Sequence, residues 1–146
     1  MANITKGTQS QIPVFFNVDQ RVGQGGTNQT EDVALVSYLM RLSAKAAIDQ
    51  KAKQILQNVV VTTTCTPALI QSIKDLQTAL KLTPDGRISP STPDGRYSTG
   101  KYLIASLNVN VRRGYPDLWP RIDRITDVPT PGPVMQLVQR ALVGIG

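Results

Sequence analysis

The strongest constraint on how this chain can fold lies between Thr66 and Gly86. Leu69, Ile70, Ile73, Leu76, Leu80 and Leu82 recur at the three- and four-residue spacing that lines one side of an α-helix, so the stretch predicts a helix with one buried stripe. Thr66 and Pro67 open it, because proline is tolerated at the first helical position. Pro84, Asp85 and Gly86 close it with turn residues, and Pro93, Asp94 and Gly95 repeat the signal within a second Pro-Asp-Gly-Arg tetrapeptide. Two successive turns are therefore expected before the next element.

The rest of the pattern points the same way. With aromatics at 5% and hydrophobic residues at 40%, the core must be built mainly from Leu, Ile, Val and Ala, which suits helices packed on helices. Val33, Val36, Leu39, Met40 and Leu42 form a helical stripe behind Gly23, Gly25 and Gly26, with Asn28 and Glu31 in capping-box spacing at its start. Ala47, Ile48, Ala52, Ile55 and Leu56 fall on one face of a second stretch, which either continues this helix or follows a kink. Val59 to Thr64 is a run of six β-branched residues, better suited to a short strand or an extended connector. After the two turns, Tyr102 to Leu107 predicts a short helix capped by Ser98 or Thr99, followed by a strand from Asn108 to Arg113 where Val109 and Val111 alternate with polar residues. Prolines at 116, 120, 129, 131 and 133 exclude long regular structure until a final helix carrying Val134, Leu137, Val138, Ala141 and Leu142. The N-terminus reads as an extended arm holding both phenylalanines, Phe15 and Phe16; it either packs back on its own domain as an edge strand or docks on another subunit.

Composition narrows the chemistry. There is no histidine in the 146 residues, which removes the commonest general base near neutral pH, every Ser-His or Cys-His nucleophile pair and the familiar zinc clusters. The single cysteine, Cys65, cannot form an internal disulfide. No acidic pair stands in a recognisable catalytic spacing, so no catalytic residue, no metal site and no cofactor is expected. The net charge of +6 favours a polyanion or an acidic protein surface, but the basic residues are scattered and only Arg112 and Arg113 are adjacent. Specific nucleic-acid binding is not the expected role. The start of the chain lacks a basic and then apolar leader, and its apolar runs fall far short of the ~20 residues of a membrane span. A protein made in a bacterial cytoplasm is the expectation.

Three stretches together resemble the peptidoglycan-binding-like helical domain of phage lysins, wall hydrolases and related phage or contractile-injection proteins. They are Val22 to Val33, with Val36 and Leu39; Cys65 to Gln77; and Pro84 to Pro90, followed by Leu103, Leu107 and Asn108. The sequence departs from the family where Leu76-Gln77 replaces the usual Phe-Gln, where Ser37 stands at a common Gln position, and in a long insertion from Ala44 to Thr64. The resemblance implies a mainly α fold: a small helical bundle of the peptidoglycan-binding-like type, with extended N- and C-terminal arms and one short β hairpin. The corresponding division is 1–22 as an extended arm, 23–108 as the helical core, and 109–146 as a Pro-rich arm with a final helix.

It also implies a role. The expectation is a non-catalytic component of a phage particle (tail, baseplate or capsid-associated) or of a related injection machine, with other subunits of the assembly as partners. A free-standing peptidoglycan-binding module is the alternative. Asp85, Arg87, Asp94, Arg96 and Tyr97, on the repeated turn, are the candidate ligand-binding residues, although Asp-Gly turns are also common structural punctuation. Phe15, Phe16 and Trp119 are the candidate partner contacts.

Overall fold

A computed structural model describes residues 2–6, 14–91 and 103–141. The fold is mainly α, with two small antiparallel strand pairs. Strands β1 (Asn3–Lys6) and β2 (Val14–Asn17) pair with Ile4 opposite Phe16. The two-residue strands β3 (Val22–Gly23) and β4 (Arg87–Ile88) form the second pair. Around them stand α1 (Thr30–Ser43), α2 (Gln50–Gln57), α3 (Pro67–Ala79), α4 (Leu103–Gly114) and α5 (Gly132–Ala141).

Helix α1 is the centre of the molecule, and its sequence shows why. Nearly every residue from Asp32 to Ser43 is buried, so it presents apolar groups on all sides instead of one stripe. Helices α2, α4 and α5 pack against it, and α5 also packs on β1. The buried polar residues of α1, Asp32, Ser37, Tyr38 and Ser43, are each given a partner. The carboxylate of Asp32 accepts hydrogen bonds from the backbone N–H groups of Asp19 and Gln20, both at 3.0 Å. The Tyr38 hydroxyl meets Thr130 Oγ1 at 2.9 Å and donates to the Ile122 carbonyl at 3.1 Å, which ties the Pro-rich segment to the core.

Several sequence expectations change here. The segment Asn108 to Arg113 is not a strand but the second half of α4: Leu103, Ile104, Leu107, Asn108 and Val111 form one buried helical face, and the Val109/Val111 alternation is too short to compete with it. Asn28 does not cap α1. It takes a left-handed conformation, φ 56°, and its side chain brackets the glycine turn instead, accepting from Gly23 N–H and donating to the Gly23 and Gly26 carbonyls. A short 3-10 turn, Ala44–Ala46, interrupts the helix after α1, and α2 restarts at Gln50 with Asp49 as its N-cap. That break leaves Ile48 outside the buried face, 81% exposed.

The two terminal regions are not detached arms. Phe15 and Phe16 are completely buried, and Ile122, Val134, Leu137 and Val138 belong to the same apolar cluster as Val33 and Leu39. The division at 22/23 falls inside β3, and the one at 108/109 falls inside α4.

Candidate functional site

Candidate polar chemistry in the described residues centres on the first Pro-Asp-Gly-Arg turn and the glycine turn facing it. Helix α3 carries Gln77 into this junction on its buried side. The Gln77 amide then makes three bonds to the turn. Its Nε2 donates to Asp85 Oδ1 and to the Arg87 carbonyl, and its Oε1 accepts from Gly86 N–H, each at 2.9 Å. One side chain thereby sets the shape of residues 85 to 87.

The glycine turn closes on the other side. Gln24 N–H donates to the Gly86 carbonyl at 3.0 Å, extending the β3–β4 pairing. Two positive-φ glycines make this close approach feasible. A Cβ at Gly23 (φ 119°) would collide with the Gly86 carbonyl oxygen, and one at Gly86 (φ 73°) would meet Lys74 Cε at 2.9 Å. Cys65 hydrogen-bonds to the Gly23 backbone, and burial pushes its thiol above the ordinary range, partly opposed by that bond. Sequence stretches far apart, around Gly23, Cys65, Gln77 and Asp85, thus converge on one junction.

The candidate ligand residues can be placed against this frame. Asp85 is half-exposed, and its Oδ1 accepts from Arg87 N–H at 3.0 Å as well as from Gln77. Burial raises its pKa, but the bonds from the Arg87 N–H and the Gln77 amide outweigh that and hold the carboxyl below its ordinary range. Its contact with the Arg87 guanidinium is 3.8 Å, with both side chains over a third exposed, so the pair is weak. Asp85 is accordingly a structural acceptor first, while Arg87 has a partly free guanidinium. Asp94, Arg96 and Tyr97 lie outside the described residues.

Burial corrects two of the three candidate partner contacts, Phe15 and Phe16. Phe15 and Phe16 have no exposed surface, because β2 lies between β1 and α4 with both rings inside the core. Neither ring can meet another subunit in this state. Trp119 stands edge-on to Phe16, with centroids 5.1 Å apart and an 80° interplanar angle, so it too anchors its own fold, though it is only partly buried.

Sequence reasoning missed a different surface. An apolar groove of about 460 Å³ runs between α2, the end of α3 and α4, with the exposed Ile48 and Leu80 among the residues that line it. The signal available was the break after α1: Asp49 is a natural N-cap, which places Ile48 before the helix and outside its periodic stripe. A second groove, of about 530 Å³, lies between Val61–Thr63 and Val128–Pro131, beside Val60, which is 74% exposed. Among the described residues no group of His, Cys, Asp and Glu could hold a metal ion, and no helix is long and apolar enough to cross a membrane. Comparison with family models, curated proteins and solved structures found no match.

Proposed function

We propose that this chain is a non-catalytic structural protein of a phage particle or a related contractile injection machine, acting through contacts with neighbouring subunits. The observation that carries this reading is the placement of large apolar side chains outside the core. Ile48 and Val60 are 81% and 74% exposed, each beside a groove, and such surface is stabilised when a partner covers it. The buried polar groups support the same reading, since Asp32, Gln77 and Asn108 all spend hydrogen bonds on holding backbone groups of the fold. The phage context comes from the resemblance of the Gly23, Cys65 and Pro84 stretches to the peptidoglycan-binding-like domain.

The test is incorporation. A chain carrying Ile48→Glu and Val60→Asp keeps its core, because both side chains already face water. Mass spectrometry of particles purified from the producing bacterium should show it missing or strongly depleted, with folded protein left in the lysate. Undiminished incorporation would overturn the assembly reading.

A second reading is favoured by one observation: Arg87 keeps a guanidinium 37% exposed on a turn that Gln77 holds rigid. Such a group suits the carboxylates of a peptidoglycan peptide stem. Retention on purified sacculi at low salt, lost in Arg87→Ala, would support wall binding, and no retention of the native chain would exclude it.

A further inference from the structure

The groove between α2 and α4 carries both halves of a self-complementary surface. Leu56, Leu107 and Ile48 help to line it, and Ile48 leaves 81% of its surface exposed there. Two opposite charges, Asp49 and Arg113, line the same groove. One oxygen of Asp49 caps α2 by accepting from Ala52 N–H at 2.8 Å. Arg113 is exposed on the last turn of α4 and forms no ion pair among the described residues.

We infer that this face is a two-fold interface in which Ile48 of each copy fills the groove of the other and Asp49 of one copy meets Arg113 of its mate. In an isologous contact each patch must supply both knob and hole and both signs of charge, and this one does. The charge pattern also selects a second copy over an acidic partner. Chains of net charge +6 repel one another in general, yet within this groove one acid and one base balance, so its lining adds no net charge to the contact. The contact is closed, because a two-fold dimer uses both grooves and leaves none for a third chain. The inference rests on the assembly reading and names its first partner.

Sedimentation equilibrium of the full chain, from micromolar to millimolar concentration, tests it. The native chain should show a monomer–dimer equilibrium. Ile48→Glu should weaken it by at least about 100-fold, since both copies lose the buried side chain and gain a charge there, with an unchanged circular dichroism spectrum. Arg113→Glu should weaken it by roughly tenfold, because it sets two carboxylates face to face. A native chain that stays monomeric, or a dimer indifferent to either substitution, overturns the inference. A monomer that still enters particles would leave the assembly reading standing, so the two failures are distinguishable.

Discussion

At the scale of single residues, the buried amides organise this protein more than its charges do. Gln77 satisfies Gly86 N–H, Asp85 and the Arg87 carbonyl together, so Gln77→Leu keeps the volume but leaves a buried N–H without an acceptor. Urea unfolding should show a loss of about 1–3 kcal/mol; a change below ~0.5 kcal/mol would mean that the turn holds without its clamp. Asp85 adds a pH dependence with a definite sign. Its folded pKa lies below the unfolded value near 3.8, so its bonds stabilise the fold fully above that value. They are lost as pH falls through the lower folded value. Because the side chain is 40% exposed, water screens the effect and it stays small. The stability gap between the native chain and Asp85→Asn should be level from neutral to about pH 5 and close below about pH 4, as unfolding midpoints across that series would show. The Pro-Asp-Gly tripeptide announced the turn in the sequence. Nothing local announced that Gln77 would clamp it, because that bond depends on how α3 lies against residues 85 to 87.

At the scale of elements, the ends of the helices decide what each one does. Thr66 caps α3 as its sequence predicts, accepting from Leu69 N–H at 3.1 Å with Pro67 in the first turn. The other end comes earlier than the apolar stripe suggests. Leu82 N–H bonds the Gln77 carbonyl at 2.8 Å and Lys81 N–H bonds that of Thr78, a Schellman arrangement with Lys81 left-handed at φ 60°. A lysine there bears a Cβ penalty that glycine avoids, so Lys81→Gly should raise stability by about 0.5–1 kcal/mol despite glycine's greater unfolded freedom. A fall in the thermal midpoint would show that the lysine side chain contributes more than its backbone strain costs. Helix α4 teaches the complementary lesson. Its buried face alternates spacings of one and three residues through Val111, but Asn108 sits on that face, and a polar residue there hides the stripe from a reading based on hydrophobicity.

At the scale of the whole molecule, Asn108 explains why the N-terminal strand belongs to the core. Its Oδ1 accepts from Phe16 N–H at 2.8 Å and its Nδ2 donates to the Phe16 carbonyl at 2.9 Å, so a side-chain amide takes the place of a neighbouring strand along β2. The Asn17 side chain repeats the device with Ser91, accepting from its N–H at 3.0 Å. Asn108→Leu would leave both Phe16 backbone groups buried and unpaired, at a cost of about 2–4 kcal/mol. The urea midpoint should fall with little change in slope, since the core stays one cooperative unit. A separate early transition reporting loss of β2 alone would show instead that the N-terminal strand is an independent arm.

The division between sequence and fold follows from the range of the interactions. The helical character, the α3 start and the turn at Asp85 were legible because each depends on residues within a few positions of one another. The places of Phe15, Phe16 and Val134 were not. An apolar side chain near a terminus reads equally well as a clamp on a neighbour or as part of its own core, and only the packing of β2 and α5 around α1 separates those outcomes. The same holds for Ile48, whose periodicity places it inside while the break before α2 turns it out. The stretch from Thr66 to Gly86 thus determined a helix and its closing turn by local chemistry. Tertiary structure decided which apolar surface was left over, because that remainder is set by every other element at once.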